Sequence, residues 1–173
     1  VYTTGSFQGT ADFNPGTGTF NLNSVGGYDA FIIKLDPSGN FIWAKRQGGT
    51  GNELSYSMSN DADGNVYTIG NFDFTTDFDP GSGVFNINSS GNTDVFISKL
   101  DASGNFVWAK RVGGSANDYS GDIATDAFGN VYVTGGFQGT ADFDPGTSIF
   151  NLSPEGSNDV FILKMNQCVN ISS

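Results

Sequence analysis

The chain has 173 residues, a net charge of −11 from 18 acidic against 7 basic side chains, 25 glycines, 16 phenylalanines and no histidine. So few cations exclude a nucleic-acid backbone or an anionic membrane surface as a partner, because both are bound through clustered Lys and Arg. The missing histidine removes Ser/His and Cys/His catalysis, a lone Cys168 removes internal disulfides and cysteine-built zinc sites, and apolar runs such as 30–33 fall far short of the ~20 residues of a membrane-inserted helix.

Along the chain one phrase recurs. "VYTTGSFQGTADFNPG" at Val1 returns as "VYTIGNFDFTTDFDPG" at Val66 and "VYVTGGFQGTADFDPG" at Val131, a constant spacing of 65 residues. The offset holds elsewhere: Asp29, Asp94 and Asp159 align, as do Phe31, Phe96 and Phe161, and Lys34, Lys99 and Lys164. No insertion interrupts the register, so each unit is one structural module.

Within the complete middle unit, β-branched and aromatic runs alternate with Gly, Asn, Asp and Pro clusters, and helical periodicity is absent. The chain is therefore all-β, with strands expected at 55–60, 66–72, 95–100 and 106–111. The first favours small side chains ("SYSMSN", "SGDIAT"), as crowding about a central axis would require. "DADGNV" and "DASGNF" are hairpin turns in which Asp bonds the turn backbone and Gly supplies positive φ. "DFDPGSGVFNIN" is too long for a tight turn and accommodates an extra short hairpin. The third strand ("DAFIIKL", "VFISKL", "VFILKM") is apolar on both faces, which implies a sheet buried on both sides. Four-stranded antiparallel sheets packed face to face describe the blades of a β-propeller; a linear β-solenoid is the alternative.

"DADGNVYTIGNF" followed by "TDVFISKLDASGNFVWAKRVGG" resembles the bacterial β-propeller repeat known as SBBP, whose units run roughly D-x-x-G-N-V-Y-x-x-G, then D-x-F-x-x-K-L-D-x-x-G and W-x-x-x-x-G-G. The resemblance covers residues 1–166, about 2.7 blades with starts at 1, 66 and 131, and leaves 167–173 as a linker or the start of a following segment. It implies a large secreted or cell-surface bacterial protein, often with adhesion-like modules, and brings no catalytic residues. Closed propellers have roughly four to eight blades, so the ring is expected to be incomplete here. Either the remaining blades belong to a longer chain, or other copies of this chain complete the ring.

Three acidic patterns invite chemistry. "DFNPG" and two copies of "DFDPG" place Asp12, Asp77 and Asp142 two residues before Asn14, Asp79 and Asp144, with Asp29, Asp94 and Asp159 following at constant spacing. Alternate oxygen ligands in a Gly-permitted bend suit Ca²⁺, and Asp before Pro-Gly equally fixes a turn. Asp61 and Asp63 resemble part of a calcium loop, but the next repeat has Phe128 in place of the second acid, so the repeated element is a turn. Paired carboxylates suit glycoside hydrolysis, yet the candidate acids recur in every unit, whereas an active site breaks the repetition. Trp43, Trp108, Tyr2, Tyr67 and Tyr132 fill the spaces between blades or, if exposed, stack on sugars.

The expectation is a non-enzymatic scaffold or adhesion module whose partners are further blades, glycans or surface proteins. The alternative is a carbohydrate-active propeller, lectin or hydrolase, working through the variable loops "GGTGNEL" and "GGSANDY" at one end of the ring.

Overall fold

The computed structural model describes residues 1–166; the segment 167–173, including Cys168, lies outside the described residues. Sixteen strands and no helix occur among the described residues. The first repeat comprises β1 (Tyr2–Phe7), β2 (Thr10–Asp12), β3 (Asn21–Asn23), β4 (Asp29–Leu35) and β5 (Phe41–Gly49). The second comprises β6 (Glu53–Asn60), β7 (Val66–Phe72), β8 (Thr75–Asp77), β9 (Asn86–Asn88), β10 (Asp94–Leu100) and β11 (Phe106–Gly114). The third comprises β12 (Asp118–Thr125), β13 (Val131–Phe137), β14 (Ala141–Asp142), β15 (Asn151–Leu152) and β16 (Asp159–Met165).

In the middle repeat β6, β7, β10 and β11 form one antiparallel sheet, the blade expected from the sequence. Its neighbours are β1-β4-β5 and β12-β13-β16. The turns form for the reason their sequences suggest: Asp61 Oδ1 accepts the N–H groups of Asp63 and Asn65, and Gly64 adopts φ 79°. Asp36, Asp101 and Asp126 repeat the arrangement.

The expected extra hairpin is present as β8–β9, and its destination is the sheet before it. Thr76 and Asp77 pair with Gly49 and Gly48 at the end of β5, while Ala141 and Asp142 of β14 pair with Gly114 and Gly113 of β11. This pairing carries the fourth strand to Gly114, beyond the expected 111. Glycine is needed there, since a Cβ on Gly49 or Gly114 would overlap the carbonyl oxygen of Thr75 or Thr140. Hairpin β2–β3 pairs with no other strand among the described residues.

The blades stack through their apolar faces. Ala30 meets the buried trio Phe72, Phe78 and Phe96, with ring centroids 5.1 to 5.6 Å apart for the two contacts that Phe78 makes. The second interface joins Tyr67, Ile69, Val95 and Ile97 to Ile123, Val131, Val133 and Phe161. All seven residues of β10 are buried, as two-sided packing requires. In the third sheet the equivalents of Val95 and Ile97, Val160 and Ile162, are 84% and 80% exposed, and no sheet of the described residues covers that face. The small side chains of the first strands make polar bridges between blades: Thr4 bonds Ser55, Ser57 donates to Asp122, and Ser59 bonds Thr125. Large side chains would push these strands apart.

Candidate functional site

The hairpin loops hold their acids in turns. Asp77 Oδ1 accepts the N–H groups of Asp79 at 3.0 Å and Phe85 at 2.8 Å, and Asp79 Oδ1 accepts that of Gly81. Asp12 and Asn14 repeat this with Asn14, Phe20 and Gly16, and Asp142 and Asp144 with Asp144, Phe150 and Gly146. The N–H groups of Phe20 and Asn14 hold the Asp12 carboxyl below the ordinary carboxylate range. Asp29, Asp94 and Asp159 instead begin β4, β10 and β16. Among the described residues no three acidic side chains gather into a group able to hold a metal. In each loop the Oδ1 atoms are committed to backbone N–H groups, as a turn requires.

The buried acids lie at the blade junctions. Asp29 is fully buried; its Oδ2 accepts from Arg46 at 2.7 Å and from the Val25 N–H, while its Oδ1 has no partner. Across the junction stands Glu53, also fully buried, whose Oε1 accepts the Thr76 hydroxyl at 2.7 Å and Oε2 the Gly49 N–H at 2.9 Å. One repeat later Asp94 and Asp118 take these places: Asp94 faces Arg111 at 3.5 Å, again with Oδ1 unpartnered, and Asp118 accepts from Gly114 and Gln138. Gly113 packs against both carboxylates at once, leaving no room there for a side chain.

Burial pushes Glu53 up to about 7, against the Thr76 and Gly49 hydrogen bonds, with the charges of Asp29 and Asp73 adding to the rise. Burial likewise pushes Asp94 up to about 6, with Asp118 adding and Ser90 and Arg111 opposing. Asp29 and Asp118 are raised by the same cause. These pairs are absent from the sequence-based candidates as pairs. The signal available was the 65-residue offset, which aligns Glu53 with Asp118 rather than with another glutamate.

The aromatic candidates serve packing. Tyr2 lies 6.0 Å from Trp43 and Tyr67 6.1 Å from Trp108, and Lys34, Lys99 and Lys164 sit over the rings of Tyr2, Tyr67 and Tyr132. A concavity of about 740 Å³ beside Trp108, Lys110 and Lys164 has a filled counterpart one repeat earlier. There Lys34 Nζ donates to Ala102 O, and Gly104 packs against Trp43 and Lys45. That counterpart is filled by the turn at 101–105.

A second concavity, of about 350 Å³, lies on the outer rim between repeats, lined by Phe85, Asn86, Asn88, Lys110, Arg111 and Asp144. The loops "GGTGNEL" and "GGSANDY", expected to carry any ligand site, do not line it.

Antiparallel sheets stacked at a fixed repeat, each stapled to the one before by a hairpin, define an array of β-propeller blades. Residues 107–135 match the family SBBP, a β-propeller repeat. The constant offset places residues 42–70 of the preceding repeat at the positions equivalent to that stretch. It is 30% identical over 107 residues to the regulatory protein FlaEY of Caulobacter vibrioides, an alignment covering 62% of this chain and 11% of that protein. An uncharacterised WD repeat-containing protein of Acanthamoeba polyphaga mimivirus is 26% identical over 167 residues, covering 82% of this chain and 12% of the relative. The chain thus spans only a small part of the length of either relative.

Proposed function

We propose that this chain is a non-enzymatic propeller scaffold serving as a binding or adhesion platform within a secreted or cell-surface protein. The observation that carries this reading is that the acids which recur in register are consumed by structure. The hairpin acids bond their own loops, and the junction acids face arginines and neighbouring blades. A catalytic site would concentrate distinct residues in one place rather than distribute equivalents along an array. The resemblance to SBBP repeats of bacterial surface proteins, and the low content of basic residues, support the assigned setting.

The immediate partners on this reading are further blades, from the same longer protein or from other copies, covering the face of Val160 and Ile162. Screening the purified chain against glycans, matrix proteins and bacterial surfaces tests the platform reading. Saturable binding without turnover is expected; conversion of any bound substrate by the purified chain overturns it.

A further inference from the structure

The rim groove carries a mixture of groups with hydrogen-bonding capacity left over from the fold. Among the described residues the Lys110 side chain, on the strand β11, has no ion pair or hydrogen bond, and the exposed Asn86 side chain has none either. Asp142 and Asp144 engage only Oδ1, in the hairpin turn, which leaves each a second oxygen. Arg111 is held at the groove edge by Asn88 O and Ser90. Phe85 lines the same groove 40% exposed, its inner face 4.8 Å from the ring of Phe106.

Two cations and two carboxylates leave the groove without net charge, so neither a phosphate nor a metal ion is favoured over the other. What remains is a half-exposed aromatic ring beside interspersed donors and acceptors, in a volume within the lower range of small-molecule sites. That combination matches the C–H face and hydroxyls of an uncharged sugar. The preceding junction repeats the parts: Phe20 is 38% exposed and 4.8 Å from Phe41, with Asn21, Asp77, Asp79 and Lys45, whose stem packs against Gly104, at the equivalent positions.

We propose that the groove at each repeat junction is a binding subsite for one neutral, hydroxyl-rich saccharide unit, and that this chain carries two such subsites. The proposal rests on the platform reading above and gives it a ligand class. Individually weak subsites repeated along a rigid array gain strength on a glycan-coated surface through effective concentration, the regime an adhesion module requires.

The test is an amide NMR titration of the isotope-labelled chain with D-galactose, D-mannose, D-glucose and N-acetyl-D-glucosamine, with N-acetylneuraminic acid and inorganic phosphate as charged comparators. At least one neutral sugar should move the amides of Asn86, Asn88, Lys110 and Gly146 together with those of Asn21, Asn23, Lys45 and Gly81. The double variant Asn86→Ala, Lys110→Met should lose the first set of shifts and keep the second, which also reports that the chain remains folded. No shift at either groove with any neutral sugar, or preferential response to the charged probes, overturns the proposal. Binding to surfaces in the broader screen without groove shifts would leave the platform standing and remove only this assignment; turnover of a sugar bound in the grooves would remove the platform and leave the assignment.

Discussion

Glu53 makes the stability of the array depend on pH in a direction opposite to ordinary acid denaturation. Its carboxyl is fully buried, and its folded pKa is raised from 4.5 to about 7. A group whose folded pKa is raised contributes its full stability below the unfolded value and loses it as pH rises through the folded one. Two and a half pKa units correspond to about 3 kcal/mol at high pH, and integrating between about pH 5.5 and pH 8 leaves about 2 kcal/mol of the change in that window. Asp94, raised from 3.8 to about 6, adds about 1 kcal/mol of the same sign. Facing these acids are Asp29, Asp73 and Arg46 at the first junction and Asp118 and Arg111 at the second. Urea denaturation followed by tryptophan fluorescence should therefore show greater stability at pH 5.5 than at pH 8. Glu53→Gln should flatten most of that slope, because the amide can accept from the Gly49 N–H and donate to the Thr76 hydroxyl. A wild-type stability that rises from pH 5.5 to 8, or a slope unchanged in the variant, refutes the reasoning.

Three further outcomes follow from the packing. Gly48→Ala drives a methyl into the buried Asp29 carboxylate and should cost about 3 kcal/mol by overpacking in the same denaturation assay. Phe78→Ala, at the centre of a fully buried trio, should cost roughly 3–5 kcal/mol, and Phe13→Ala less, because the equivalent trio of Phe7, Phe13 and Phe31 is only partly covered. Chelator should leave the melting temperature unchanged if the hairpin acids serve only their own loops; a fall reversed by added Ca²⁺ would favour the calcium reading of the D-x-D-P-G loops.

The fold was legible because a repeat multiplies every local signal. The turn at Asp61 and Gly64 would be weak evidence alone, but it recurs with the same hydrogen bonds at Asp36, Asp101 and Asp126. Two-sided burial of the third strand was readable from Phe96 and Ile97, which face opposite sides and are both fully buried. The destination of the extra hairpin was not readable: nothing in "DFDPG" says that its strand pairs with the preceding repeat, and only the two glycines ending β5 hint that another backbone approaches. The junction acids escaped for a related reason. Asp29 and Glu53 belong to successive sheets and meet only when those sheets stack, and periodicity within one strand carries no information about that contact.

The departures from strict repetition are themselves coupled. Where the second repeat begins with Glu53, position 76 is threonine, and the longer acid reaches its hydroxyl across the junction. Where the third begins with Asp118, the position equivalent to Thr76 is Ala141; the shorter acid keeps the Gly114 N–H, the equivalent of Gly49, and accepts the Gln138 N–H in place of the hydroxyl. The position that holds Asp73 beside Glu53 holds uncharged Gln138 beside Asp118, so the charge around the acid changes as well. Three differences thus serve one structural unit. Unrepeated residues in a repeat array ordinarily advertise an active site, but these gather at the blade junctions, where Glu53, Thr76 and Asp118 are buried. The asymmetry between the junctions is therefore an adjustment of how blades are joined.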